Sequence, residues 1–428
     1  MNTIYAVSTA PGRAGISVIR VSGPRSFDVA KDLAGSMPDA RFAALRELRD
    51  SDGQLLDKAL VICFEQGQSF TGEDSAEFHC HGSPAVVQAV LSRLSEFDGL
   101  TLAEPGEFTR RALENGKLDL AQVEGLADLL EAETEIQRKQ ALRVFDGHLT
   151  QRVETWRSDL IRAIALLEAT IDFADEEVPE DVSPEVSELI NRVLSELAAD
   201  VSGFSVAERV RSGFEVAIIG PPNVGKSTLL NALAGRDAAI TSSVAGTTRD
   251  VIEVQIDLRG IPVTLLDTAG LRESDDIVEK LGIDRARKRA TQADLRIYLY
   301  LPDGYPDFPV QTGDIVLMSK SDVHQTGSGS VSGLTGEGIP ELLDQIVAHF
   351  ENRVPQAGLA IRERHQKAMQ DAKARLLSAQ KRLSHNDGDI ELVAEDLRRG
   401  ITSLDSIVGR FDIELVLDEI FQSFCLGK

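Results

Sequence analysis

Cysteine is scarce. Cys63, Cys80 and Cys425 are the only three in 428 residues. Odd in number and far apart, they offer no disulfide framework, and a reducing cytoplasm fits best. No uninterrupted apolar run approaches the ~20 residues of a membrane helix, so no membrane span is expected. The opening "MNTIYAVSTAPGRAG" lacks a basic segment followed by an apolar core, so no secretory leader is expected. Positive charge is also short: 45 Lys and Arg stand against 69 Asp and Glu, a net charge of −24. That excludes the whole surface as an electrostatic nucleic-acid binder, because phosphate neutralisation needs Lys and Arg. One local exception carries Arg362, Arg364, Lys367, Lys373, Arg375, Lys381 and Arg382 against only Glu363 and Asp371. A solvated helix face accounts for that run more simply than an RNA contact. No internal repeat or low-complexity tract is present.

The length exceeds one core and suggests about three domains. Hydrophobic content of 42% and charged content of 27% are those of a globular chain. Residues 3 to about 117 read as mixed α/β. "ISVIRVSG", "ALVICFE" and "SAEFHCHG" have strand patterns. "SPAVVQAVLSRLSEF" has helical spacing, with Ser83 as N-cap and Pro84 in the first turn. From Leu118, "LDLAQVEGLADLLEAETEIQRKQALRVF" and "LTQRVETWRSDLIRAIALLEATIDF" predict long amphipathic helices. An acidic, proline-bearing break at 174–185 predicts a loop, after which "VSELINRVLSELAADVSGF" resumes helix. At Gly213 the pattern becomes alternating strand and helix to about His349, predicting a parallel α/β unit. Long helices then return after Pro355 and run to Phe424. The economical reading is a helical domain split by an insert, with the insertion ends close in space.

"GPPNVGKST" (220–228) fits G-x-x-x-x-G-K-[ST] between a strand and a helix, the context a phosphate loop requires. Gly220 and Gly225 let backbone N–H groups turn inward on phosphates. Lys226 reaches the β- and γ-phosphates and Ser227 offers a hydroxyl to Mg2+. Further parts follow in the order a GTPase needs. "AGTTRD" supplies Thr247 and Thr248, one of them a second Mg2+ and γ-phosphate contact. "LLDTAG" places Asp267 for the metal, then Thr268, Ala269 and Gly270, whose amide can meet the γ-phosphate. "VLMSKSD" ends in Ser319, Lys320, Ser321 and Asp322, whose carboxylate can accept from guanine N1 and N2. Ser332, Gly333 and Leu334 in "SGLTGEG" are placed to close over the base.

These motifs mark the translation-factor-related GTPases. Together with "PGEFTRRALENGKLDLAQVEGLADLLEAET" and the terminal "FCLGK", the whole chain resembles the tRNA modification GTPase family, MnmE or TrmE. The resemblance implies an α/β and all-α multidomain fold. Its parts are a folate-binding and dimerisation domain (1–117), a helical domain (118–212 and 352–428) and an inserted Ras-like G domain (213–351). Two departures stand out: Ser319 where the guanine motif usually begins with Asn, and Gly333 where Ala is usual. The stretch "PDGYPDFPVQTGD" is short and proline-rich for a crossover helix, suggesting a trimmed G domain.

Leu271 stands where many small GTPases carry a water-orienting glutamine, and no arginine finger is evident. The resemblance implies potassium instead, held by Asn223 and by the 242–247 loop (Ser242, Ser243, Val244, Ala245, Gly246, Thr247) when two G domains meet. Mg2+ would fall to Ser227 and Thr248, and the bound nucleotide would also touch Val224 and Thr228. Glu279 would orient water, with Arg272 and Arg249 as weaker supports. Asn223 is otherwise a turn former, and Glu279 a surface carboxylate at a helix start.

By resemblance, Arg20, Glu77, Lys117 and Lys428 would hold 5-formyltetrahydrofolate or methylenetetrahydrofolate. Taken singly, each reads as a surface ion-pair residue. Cys425 would add to C6 of uracil, or else serve structure or substrate positioning. The implied function is a potassium-stimulated GTPase that installs a carboxymethylaminomethyl-type group on C5 of a tRNA wobble uridine. It would act as a homodimer, with a flavin- and NADH-dependent partner of the MnmG family, in a heterotetramer in the cytoplasm. Two other readings stay open: a switch or ribosome-assembly GTPase that does no modification chemistry, and a stand-alone folate-dependent transferase with a regulatory G domain.

Overall fold

A computed structural model describes the chain except residues 1, 173–181, 237–251, 268–288, 290, 303, 305–309, 325–328, 385–389, 411–426 and 428. It divides into two compact units: 1–127 with 405–428, and 128–404. No described helix is long and apolar enough to cross a membrane.

In the first unit the elements run β1 (Thr3–Val7), β2 (Ile16–Ser22), α1 (Ser26–Ala34), β3 (Ala44–Arg49), β4 (Leu55–Phe64), β5 (Ser75–His81), α2 (Pro84–Ser95), β6 (Leu100–Leu102) and α3 (Glu107–Glu114), and α4 (Leu120–Glu131) continues from it into the second unit at 127–128. The sheet order is β3-β4-β5-β2-β1-β6. All its pairings are antiparallel except β1 with β6. Alternation sorts the side chains, because successive residues of a strand face opposite sides. Ile19, Val21, Val61, Ala76 and Phe78 turn to one side, where Val29 and Leu33 of α1 and Val90 and Leu94 of α2 complete the core. Cys63 and Cys80 lie in that core as free thiols. Arg20, Glu77 and His79 fall on the opposite face. Ser83 does occupy the N-cap position of α2, with Pro84 following, but its side chain makes no capping bond.

The second unit holds α5 (Glu135–Phe145), α6 (His148–Asp172) and α7 (Ser183–Ser212). The first long helix expected from sequence is broken at 132–134. There Thr134 and Gln137 form a reciprocal capping box that starts α5 anew. The acidic break ends earlier than expected, because α7 begins at Ser183 with Pro184 in its first turn; residues 173–181 lie outside the described part.

The sheet that follows comprises β7 (Phe214–Ile219), β8 (Ile252–Leu258), β9 (Ile261–Asp267), β10 (Leu295–Tyr300), β11 (Ile315–Ser319) and β12 (Ser330–Val331), in the order β12-β11-β10-β7-β9-β8. It is not wholly parallel as expected: β8 and β9 form an antiparallel hairpin. α8 (Lys226–Arg236) and α9 (Ile339–Glu351) pack on it, with Leu229, Leu233, Leu342 and Phe350 meeting Val216, Ile218, Leu265 and Ile297. α10 (Glu363–Ser384) and α11 (Ile390–Asp405) then return to helix. The ends of the α/β segment do lie together. β7 follows α7 directly, and on the return Gly358 N donates to Gly203 O (3.3 Å) and Leu359 N to Asp200 Oδ1 (3.3 Å).

Candidate functional site

Three parallel strands, β7, β9 and β11, deliver their C-terminal ends to one edge of the second sheet. Loops at such an edge are where open α/β sheets bind ligands. The 220–225 loop leaves β7 and enters α8 at Lys226. Asp267 closes β9 in register with Ile218. Ser319 closes β11 and opens the segment to Asp322.

In the loop, Lys226 is buried, and its Nζ donates to the carbonyls of Gly220 (2.9 Å) and Pro221 (3.0 Å). The ammonium thus sits within the curve of its own loop, where an incoming phosphate oxygen can replace a carbonyl. Ser227 is exposed in the first turn of α8. Asn223 is left-handed (φ 60). Asparagine tolerates that region better than most residues, so the turn-forming reading holds. The side chain is nonetheless exposed and makes no hydrogen bond among the described residues, so its carbonyl is available to a ligand.

One hydrogen bond ties the two halves of the edge together. Ser319 Oγ donates to Val224 O at 2.6 Å, with Ser319 only 5% exposed. A hydroxyl has a single proton to give, so the serine that replaces Asn is committed to the phosphate loop. Asp322 is exposed, and its Oδ1 accepts from Ser332 Oγ at 2.5 Å. Ser332, 1% exposed, is in turn fixed by the amides of Leu334 (3.3 Å) and Thr335 (3.2 Å). Ser321 Oγ donates to Glu337 Oε2 (2.7 Å), bracing the same two loops from behind. Leu334 is 79% exposed and flanks the opening. Sequence reading missed Glu337 and the Ser332–Asp322 bond, since both depend on how two distant loops meet.

Gly333 also gains a reason. A Cβ there would stand 2.7 Å from Leu229 N and 2.8 Å from Thr228 C, both backbone atoms of α8. The loop therefore lies closer to α8 than an alanine allows. We expect Gly333→Ala to push it outward, lowering stability by about 1–3 kcal/mol and weakening nucleotide binding. Thermal midpoints with and without GDP check this; an unchanged pair of midpoints counts against it.

Ser242, Ser243, Val244, Ala245, Gly246, Thr247, Thr248, Arg249, Thr268, Ala269, Gly270, Leu271, Arg272, Glu279, Cys425 and Lys428 lie outside the described residues.

A second cluster lies on the face of the first sheet opposite α1 and α2. Arg20 and Glu77 are cross-strand partners, and Arg20 Nε donates to Glu77 Oε1 at 2.9 Å. His79, two residues on and so on the same face, places Nε2 at 3.3 Å from Glu77 Oε2. The Arg20 guanidinium lies 5.4 Å from the ring centre of Phe70 and 5.6 Å from that of Phe108. Lys117 does not touch the pair. Its Nζ donates to Gly67 O, on the turn that carries Phe70. His79, Phe70 and Phe108 are additions to the sequence reading. The His79 signal was present in "EFHCH", where residues two apart share a face.

The C-terminal tail reaches the same sheet. Gly427 is buried, and Ser8 Oγ donates to its carbonyl at 2.9 Å. It has φ +93, and a Cβ would stand 2.0 Å from Val7 O. Val7 adjoins Ala6, the cross-strand partner of Arg20. The other thiols cannot serve as nucleophiles there. Burial pushes Cys63 up to about 11 and, with the charge of Asp57 adding to it, Cys80 up to about 12, so neither supplies thiolate near neutral pH.

Residues 3–117 match the family described as GTP-binding protein TrmE N-terminus, and 120–425 match the MnmE helical domain. Proteins named tRNA modification GTPase MnmE from Dinoroseobacter shibae, Roseobacter denitrificans and Cereibacter sphaeroides are each 57% identical, with all of both chains covered. A P-loop α/β segment set within long helices, joined to relatives of that identity over their full length, leaves one assignment: the chain belongs to the tRNA modification GTPase MnmE family and is a GTPase of tRNA modification.

Proposed function

We propose that the chain binds GTP with Mg2+ and K+ and couples its hydrolysis to modification of C5 of a tRNA wobble uridine. The observation that carries the nucleotide part is the Ser319–Val224 hydrogen bond, which joins the phosphate loop to the base loop as one unit. In this reading Lys226 leaves its carbonyl partners for the β- and γ-phosphates. Ser227 and Thr248 would hold Mg2+, with Asp267 as a further carboxylate for it. Asp322, oriented by Ser332, reads the guanine N1–H and N2–H edge. Asn223, with backbone oxygens of 242–247, holds K+ when two copies meet, and Glu279 orients the attacking water. Bound K+ supplies the positive charge that an arginine finger supplies elsewhere.

The first-unit cluster fits a folate in its residue types. A carboxylate beside cations suits a ring edge of N–H donors, and the cations suit an acidic tail. Arg20, Glu77, Lys117 and Lys428 would hold the ligand, with Phe70 and Phe108 beside Arg20. The bound folate would supply the one-carbon unit, while Cys425 would add through sulfur to uracil C6 and so activate C5. A flavin- and NADH-dependent partner of the MnmG family would complete the assembly with a homodimer of this chain in the cytoplasm. The working division is 1–117, 118–212, 213–351 and 352–428.

Nucleoside analysis of tRNA from a strain lacking the chain tests the function: loss of the C5 substituent is expected, and normal wobble uridines would favour a pure switch. The tail has its own test. Gly427→Ala combines a forbidden approach to Val7 O with a left-handed φ, so the tail should leave β1. Titration with 5-formyltetrahydrofolate should then show at least ~10-fold weaker binding, the loss of one or two ligand hydrogen bonds. Unaltered affinity separates the tail from the ligand.

A further inference from the structure

We infer that the outward half of α10 is a docking surface for the phosphate backbone of tRNA. This inference rests on the tRNA reading above and names the surface that reading leaves open. α10 buries His365, Ala368, Met369, Ala372, Leu376 and Ala379, residues at three- and four-residue steps that define one face. Outside that face the helix carries Arg364, Lys367, Lys381 and Arg382, with Lys373 and Arg375 on its two flanks. Of these, Lys367, Arg375, Lys381 and Arg382 are exposed, and Arg364 and Lys373 partly so. Over 22 residues the helix is about 33 Å long.

The acids nearby do not cancel this charge. On α10 itself they are Glu363 and Asp371. From α11, Asp396 pairs with Arg382 at 3.3 Å, and Arg362, just before the helix, pairs with Asp128 at 2.6 Å. Lys381 and Arg382 in the last turn have an ordinary explanation, since cations suit a helix C-terminus. Lys367, Lys373 and Arg375 lie before that turn and form no ion pair within 4 Å among the described residues, although Glu363 and Asp371 stand one turn from Lys367, and Asp371 one turn from Arg375. α10 thus carries six Lys and Arg against two acids, a local cationic excess in a chain of net charge −24.

The occupant follows from what the face lacks. A protein interface needs apolar or aromatic anchors, and the one large exposed apolar residue of α10 is Leu377. Cations without anchors suit phosphates, which need charge and little else. The surface also accounts for how an acidic chain approaches RNA: the contact is local, not global.

The test uses the full-length chain and a fluorescently labelled tRNA transcript titrated over a range of salt. The K367Q/K373Q/R375Q variant should bind at least ~10-fold more weakly at moderate salt. Its slope of log affinity against log salt should be shallower by about 2, from three phosphate contacts at ~0.7 to 0.9 each. Basal GTP turnover and the thermal midpoint should not move, because all three side chains lie on an unpaired helix surface. R399Q is the control: Arg399 is exposed but paired with Glu395 on α11, and its loss should leave affinity as it was. Unchanged affinity and slope in the triple variant overturn the surface. So does a wild-type chain that does not bind tRNA, or a variant that loses a protein partner while keeping tRNA. Nucleoside analysis decides the tRNA reading separately, so wild-type binding with an unaffected variant removes only this surface.

Discussion

Replacing Asp322 by asparagine should weaken GTP binding roughly 10³-fold and admit xanthosine triphosphate in its place. The structure sets the direction of the swap. Asp322 Oδ1 accepts from Ser332 Oγ, and Ser332 is held by the amides of Leu334 and Thr335. In D322N that acceptor role goes to the amide oxygen, because the NH2 group cannot accept. The NH2 then points where the second carboxylate oxygen was, towards the guanine N–H edge. Donor faces donor, and a donor pair left unmatched under the bound base costs more than a lost bond. Xanthine carries a carbonyl at C2, which accepts from that NH2. Ser319 cannot soften the loss, since its one proton is given to Val224 O. Measured affinities for guanosine and xanthosine triphosphates decide the matter. If D322N keeps its guanosine preference, the base is read by other groups.

The second large effect concerns the cation. Asn223→Gly should abolish potassium stimulation of GTP turnover, lowering the rate in K+ by about 10²- to 10³-fold and making rates in K+, Na+ and Rb+ alike. Glycine is the informative substitution. Asn223 has φ 60, and an alanine there would add ~1–2 kcal/mol of backbone strain that would blur the result. Glycine keeps the turn and removes the side-chain amide, carbonyl included. Asn223→Asp keeps an oxygen in place and should recover part of the stimulation. Full potassium stimulation in N223G would show that the residue serves the turn alone, and the metal assignment would pass to other groups.

Legibility in the sequence followed locality. The phosphate loop was readable because its nine residues are contiguous and its chemistry is set by their order. The strands "ISVIRVSG" and "SAEFHCHG" were readable from alternation. Their register was not, and register is what sets Arg20 opposite Glu77. Nothing local marks "LADLLEAETEIQ" as two helices; a Thr134–Gln137 capping box decides it. Nor does local pattern reveal that β8 runs against β9, since strand direction depends on the connection and the partner. Ser83 has the right type and position for a cap, yet its hydroxyl makes no bond to α2.

By itself, the order of residues determined the chemistry on offer: a phosphate loop, a carboxylate placed where guanine could be read, a terminal thiol and a basic helix in an acidic chain. Tertiary structure alone decided which of these groups meet. It gave Ser319 to Val224, set Gly333 against the α8 backbone, brought Gly427 to β1 beside the Arg20 strand pair, and turned the cations of α10 outward. The physical reason is range. Loop conformation and side-chain type act over a few residues, whereas hydrogen bonds and close backbone approaches between segments 95 to 419 positions apart exist only once the chain has packed.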